Sequence, residues 1–251
     1  MAVRKRVGIM MPTTNTTVEP DFNRIAPPGV TIHAQHLWLT AHGLGQQSIQ
    51  ESMDQMNDQL EEGARYLAQG KVEIVSMVGT TNSFYRDIAW SNEMERIMSR
   101  GAGGLPAVAT SPSVVQALNY FGAKKISVAT PYPDWSNERL KLYFESAGFD
   151  VLNVEGEPWA SKAGPQGMND QDPELIVDFA SSICREDADA LVCSCTGWRA
   201  MEAAAELEQR LGKPVITAVQ ATAWHTFQKI GITQSISGNG SLLEIMPPVE
   251  D

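Results

Sequence analysis

Apolar residues in this chain come in short unbroken runs, each closed by a polar turn marked with Pro, Gly, Thr or Asn. In the first half the runs are Val7–Met11, Thr31–Leu39, Val72–Val78 and Leu105–Thr110. In the second half they are Ile126–Thr130, Val151–Val154, Ala190–Ser194 and Pro214–Ala218. Runs this short and this apolar are strands of parallel sheets buried on both faces. Between them the spacing of apolar positions becomes helical. Glu51–Gly70 carries Met53, Met56, Leu60, Ala64 and Leu67 on one side and acids on the other, which predicts one surface helix. Further helices are predicted over Glu93–Met98, Ser113–Phe121, Asn137–Ala147, Pro173–Cys184, Arg199–Leu211 and Trp224–Lys229. Glu155–Asp172, interrupted by Gly156, Pro158, Gly164, Pro165 and Gly167, reads as a long irregular stretch, and long loops in compact domains are often functional. The tail after Gly231 reads as weakly structured. Strands alternating with helices give an α/β fold of parallel sheets flanked by helices.

The order of elements occurs twice. Val7–Asn15 resembles Ile126–Asp134, Val72–Phe84 resembles Ala190–Trp198, and Leu105–Thr110 resembles Lys213–Thr217. The offsets drift while the order is kept, so one α/β unit is used twice, at the scale of a fold rather than of a solenoid. Two pseudo-symmetric lobes are expected: residues 1–115 plus 219–251, and residues 116–218. The active site is then expected in the interlobe cleft, with Gly79 and Cys195 facing it from opposite sides.

This placement gives the cysteine its interest. An isolated cysteine is more often a small buried hydrophobe than a reactive one. Cys195, however, closes a strand just before a predicted helix, where open α/β sheets place their ligands and where a helix N-terminus lowers a thiol's pKa. Thr80, Thr81, Tyr132 and Thr196 stand in the matching turns, and their hydroxyls, with nearby backbone N–H groups, can converge on a carboxylate or an enediolate. The same hydroxyls can also cap helices, and the two roles are compatible.

Composition narrows the partners. The 251 residues are 43% hydrophobic and 20% charged, as in an ordinary globular protein. A net charge of −11 with no basic face argues against nucleic acid. No run approaches the ~20 apolar residues of a membrane span. Val7–Met11, behind the basic start Met1–Arg6, is too short for the core of a signal peptide. Three cysteines, Cys184, Cys193 and Cys195, fit a reducing cytoplasm better than a disulfide framework. A zinc site is not expected: Cys193 and Cys195 lack a second pair, and His33, His36 and His42 do not share a face. No phosphate-binding glycine loop and no Gly-x-Ser-x-Gly elbow is present.

At these residues the chain resembles the Asp/Glu racemase superfamily, and within it the arylmalonate decarboxylases. Met77–Arg86 is similar to their Gly-Thr-Ser-x-Ser-Phe-Tyr-Arg run, Tyr132 with Asn137–Leu140 to their tyrosine turn, and Ser194–Gly197 to the turn of their catalytic cysteine. Pro12–Glu19 is more similar to the maleate isomerases, where the asparagine at the position of Asn15 binds a substrate carboxylate. Racemases and isomerases carry a second cysteine where this chain has Gly79, and the decarboxylases carry leucine where it has Asn82.

The resemblance implies a cofactor-free decarboxylation of a substituted malonate. CO2 leaves, an enediolate forms, and Cys195 protonates one face of it. Two-base racemisation needs an acid or base on each face, and one thiol serves only one. Thr80, Thr81 and Tyr132, with backbone N–H groups at Thr81, Cys195 and Thr196, would hold the retained carboxylate. Pro12, Leu37, Leu39 and Met168 would face the departing one. The implied partner is a small dicarboxylate, bound by a monomer or small homo-oligomer with no metal. An isomerase or racemase of a small dicarboxylate or amino-acid derivative is the alternative, favoured by Asn15 and Asn82. A non-catalytic ligand-binding protein on the same frame is the rival from another class.

Overall fold

The structure, a computed structural model, describes residues 4–39 and 45–246. Strands β1 (Lys5–Pro12), β2 (Val30–Leu37), β3 (Ile74–Met77) and β4 (Ala107–Ala109) form a parallel sheet in the order β2-β1-β3-β4. Strands β5 (Lys125–Thr130), β6 (Asp150–Gly156), β7 (Ala190–Cys193) and β8 (Val215–Thr217) form a second in the order β6-β5-β7-β8. The two orders correspond strand for strand, as the repeat in the sequence requires. Met10 pairs with Met77 and Ala129 with Cys193, so β3 and β7 end at corresponding sheet edges. Gly79 and Cys195 each lie two residues beyond.

The helices are α1 (Val18–Ile25), α2 (Gln46–Asp58), α3 (Leu60–Gln69), α4 (Thr80–Phe84), α5 (Ile88–Gly101) and α6 (Thr110–Tyr120) in the first half. The rest are α7 (Asp134–Ser146), α8 (Ala160–Asp170), α9 (Pro173–Ile183), α10 (Ala200–Leu211), α11 (Ala218–Lys229) and α12 (Ser241–Glu244). Local chemistry sets several starts. Asp172 accepts the Glu174 N–H with Pro173 in the first turn of α9. Thr217 and Gln220 form a reciprocal capping box on α11.

The main core runs through both halves. It joins Val7, Ile9 and Val108 to Val128, Val192 and Ile216 by way of α6 and α11, which pack on each other between the sheets. Phe22 meets Phe227 edge-on, and buried hydroxyl pairs Ser76–Thr226 and Thr110–Thr222 tie α11 to the first half. A satellite core (Met10, Leu37, Met56, Leu60, Met94, Met98) fills the other face of the first sheet.

Three expectations are corrected. The helix expected over Glu51–Gly70 is two helices, α2 and α3, parted at Gln59. That side chain leaves the helical ladder to pair with the Trp38 backbone, donating at 2.7 Å and accepting at 3.1 Å. Glu155–Asp172 is not a loop, because β6 extends to Gly156 and α8 follows. Its kink at Gly164 (φ 74°, ψ −170°) uses a conformation open to glycine, and Pro165 then opens a new segment where its missing N–H costs nothing. The tail after Gly231 is anchored: Leu242 and Leu243 are fully buried, and Glu208 holds the Ser241 N–H and hydroxyl.

Candidate active site

Cys195 is the second residue past β7, held near the sheet because Ser194 N–H still donates to Ala129 O at 2.9 Å. The helix does not follow at once. The chain turns over 196–199 and α10 starts only at Ala200. Within that turn the Gly197 and Trp198 N–H groups lie beside the sulfur, as does the Tyr132 hydroxyl, and each acts to lower the thiol's value. Burial dominates over these donors and raises the thiol above its ordinary value. The expectation of a helix-lowered thiol is therefore overturned: desolvation wins, and at neutral pH Cys195 carries its proton.

Tyr132 faces Cys195 from the turn after β5. Burial first, then the neighbouring sulfur, pushes its phenol well above the usual range, so it stays a neutral donor. Its position is fixed from behind: Thr130 Oγ1 accepts the Tyr132 N–H (3.1 Å) and donates to Asn137 Oδ1 (2.6 Å), and Asn137 Nδ2 donates to Tyr132 O (3.1 Å). The hydroxyls of Thr80 and Thr81 also reach the phenol. Thr80 Oγ1 in turn accepts the Thr196 N–H at 3.1 Å across the cleft. That backbone N–H was expected to hold substrate; here it orients Thr80, whose own proton is left to point elsewhere.

Asn15 closes the same space from the first sheet. Its Oδ1 accepts the Thr17 and Val18 N–H groups at 2.9 and 3.0 Å, which cap α1. Nδ2 is thereby turned to the cleft, 3.4 Å from Thr196 Oγ1. Gly79 sits opposite Cys195 in the repeat. A Cβ there would lie 2.6 Å from both Asn82 Oδ1 and Met77 Cε, so these two side chains crowd the point where any side chain of residue 79 would begin.

These residues converge on one cavity of about 130 Å³, lined by Pro12, Asn15, Gly79, Thr80, Thr81, Tyr132, Met168, Cys195 and Thr196. It opens into an apolar cavity of about 420 Å³ that shares Pro12, Thr81, Tyr132 and Met168 and adds Leu39, Ile49 and Trp135. Leu37 does not reach either. It is buried in the satellite core against α3, because β2 ends there and only Leu39 turns toward the cleft.

Sequence reasoning missed four contributors. Met53 and Met56 line both cavities but read only as the inner face of a surface helix. Trp135, the second residue of α7, lines the larger cavity with no signal in the sequence to mark it. Asn169 lies in the stretch read as a loop. It donates to Thr14 O (2.9 Å) and Pro165 O (2.8 Å) and accepts from Thr16 N–H and Thr17 Oγ1, tying α8 to the loop before α1. The density of glycine and proline in 155–172 was the one signal for it. The histidines stand apart: His36 is 3.5 Å from Glu19, His33 is 3.0 Å from Thr31 Oγ1, and His42 lies outside the described residues. No helix among the described residues is long and apolar enough to cross a membrane.

The family model for arylmalonate decarboxylase matches residues 7–243. An arylmalonate decarboxylase of Bordetella bronchiseptica is 30% identical over 223 residues, covering 88% of this chain and 91% of that protein. A maleate isomerase of Pseudomonas putida (strain KT2440) is 23% identical over 252 residues, covering 95% and 96%. The crystal structure of the maleate isomerase Iso from Pseudomonas putida S16 with maleate matches with a TM-score of 0.83, over 96% of this chain and 97% of its own, at 20% identity. At that identity the likeness speaks for the fold.

Proposed function

This chain belongs to the arylmalonate decarboxylase family, and we propose that its reaction is the cofactor-independent decarboxylation of a substituted malonate, with Cys195 as the proton donor. The observation that carries this reading is the asymmetry of the cleft. One thiol faces it, protonated, and the matching position in the other lobe is Gly79, where Asn82 and Met77 crowd the point at which a side chain would begin.

The retained carboxylate takes hydrogen bonds from Thr80, Thr81 and Tyr132, with Asn15 Nδ2 beside them. Donors aimed at a developing oxyanion are worth about 3 kcal/mol each. The departing carboxylate faces Pro12, Leu39 and Met168, where a charge is poorly solvated and its loss is favoured. The bond from Cα to that carboxylate breaks and CO2 leaves. The electron pair passes into the enediolate, and the Cys195 S–H proton goes to Cα on one face. The thiolate then recovers a proton from solvent.

A second reading is an isomerase or racemase of a small dicarboxylate. Asn15, whose Nδ2 faces the cavity, favours it, as does the likeness to maleate isomerases. It needs an acid, base or nucleophile other than cysteine in the first lobe.

The test is CO2 release from phenylmalonate and methyl-phenylmalonate, run beside maleate, with Cys195→Ala as control. Decarboxylation that falls about 10²- to 10⁴-fold in the variant is the expected result. Fumarate from maleate with no CO2 from either malonate would replace this reading with the second.

A further inference from the structure

Asn82, on α4, is 1% exposed, and its Oδ1 has no hydrogen-bond partner among the described residues. Asn82 belongs to the wall of the 130 Å³ cavity, and the buried oxygen lies 2.6 Å from where a Cβ of residue 79 would stand. A buried acceptor left alone costs as much as a lost hydrogen bond, so its orientation needs a cause.

The cause is a relay whose polarity is set at its far end. Arg86 can only donate. It gives Nε–H to the Tyr85 hydroxyl at 2.8 Å and an Nη2 hydrogen to Asp54 at 2.7 Å. The Tyr85 hydroxyl spends its one proton on the Asp54 carboxylate. It can therefore only accept from Asn57, which must present Nδ2, at 3.3 Å. Asn57 Oδ1 is then left facing Asn82, whose Nδ2 donates to it at 3.4 Å. Each step fixes the next, and the last one turns the Asn82 carbonyl away from Asn57 and toward Gly79 in the cavity wall. A flip of either amide would set two donors or two acceptors against each other.

We propose that Asn82 Oδ1 is an acceptor subsite on the wall facing Cys195, and that it selects malonates whose α-carbon bears an O–H or N–H donor over those bearing a methyl group. An acceptor repels the carboxylates themselves, so the donor is on the third or fourth substituent. An α-hydroxyl or α-amino group matches the subsite, because each carries the O–H or N–H that an unpartnered carbonyl oxygen lacks. This inference rests on the decarboxylase reading and narrows its substrate class.

The probes are α-hydroxy-α-phenylmalonate and α-methyl-α-phenylmalonate, near-isosteric at the group that differs. Their products, mandelate and 2-phenylpropionate, serve as binding ligands measured by calorimetry. The wild-type chain is expected to prefer the hydroxyl member by roughly tenfold or more in kcat/KM and in binding. Asn82→Leu brings both ratios to near unity or below. Tyr85→Phe, outside the cavity, removes the fixed end of the relay and lowers the preference part-way, which covers the case of a leucine variant that fails to fold. Equal handling of the two malonates by the wild type overturns the subsite and leaves the decarboxylase reading standing. Absence of CO2 from both, with tighter mandelate binding that Asn82→Leu abolishes, sinks the decarboxylase reading and keeps the subsite. No CO2 and no difference in binding overturns both.

Discussion

Burial holds the Cys195 thiol above its ordinary value while Gly197 N–H, Trp198 N–H and Tyr132 only partly offset it. The form that donates a proton is the neutral thiol, so a raised value widens the active range upward. kcat/KM is expected to stay level through neutral pH and to decline only above the usual thiol value of ~8.5. A decline that begins between pH 7 and 8 would contradict the assignment; an increase there would point to a thiolate nucleophile instead. At Gly79 a new side chain meets two atoms at 2.6 Å. Met77 Cε is the end of a flexible chain and can yield. Asn82 Oδ1 is held by its relay and cannot yield without breaking it. Gly79→Cys should therefore lose about 1–3 kcal/mol in denaturant unfolding, partly recovered by adding Asn82→Ala. With a thiol on each face, the variant should exchange the product's α-proton in deuterated buffer, visible by NMR; absence of exchange would show that the two sulfurs do not flank one carbon.

α8 is where a local conformation aims functional side chains. Gly164 takes φ 74° and ψ −170°, and the segment after it carries Met168 into the cavity and Asn169 against the loop before α1. Gly164→Ala forces a β-carbon into that region at a cost of order 1–3 kcal/mol. The same change should reduce turnover more than a surface Gly→Ala of equal stability cost, because Met168 and Asn169 move with the kink. Parallel unfolding and rate measurements separate the two effects; equal turnover in both variants would reduce Gly164 to a structural role. The helical reading of Glu51–Gly70 failed for a comparable reason. Its apolar spacing was correct, but the Gln59 amide found the Trp38 backbone, a partner 21 residues away that periodicity does not register.

At the scale of the whole molecule the two halves share one core, with α6 and α11 between the sheets. His225 on α11 belongs to that junction, 3.1 Å from Ser113 Oγ on α6. Burial, with Lys229 adding to it, lowers its value to about 4. In the unfolded chain it titrates near ~6.5, so from there down to about 4 only the unfolded state gains the proton, and stability falls with acid. Asp21 acts with the opposite sign: burial raises it to about 6, and acid relieves a buried charge. His225→Gln should therefore gain on the wild type by up to about 1.4 kcal/mol per pH unit between 6.5 and 4. A stability difference that is flat with pH would show His225 to be protonated in the fold. Because the core is shared, both halves should unfold in one transition, coincident by near- and far-ultraviolet circular dichroism.

The sequence alone determined the parallel strands, the duplicated order and the turn residues of the cleft, because these depend on short-range pattern. Apolar runs fix strands, and residues at strand ends share a sheet edge whatever surrounds them. From that came Cys195, Tyr132, the threonine pair and Asn15, all now lining one cavity. Tertiary structure alone decided what depends on which atoms meet. It raised the thiol through burial, spent the Thr196 N–H on Thr80, and sent Leu37 into the satellite core. It also turned Asn169 inward and fixed the Asn82 carbonyl through Tyr85 and Asn57. Desolvation and hydrogen-bond polarity are properties of a residue's spatial neighbours, and those neighbours come from segments far apart in the chain.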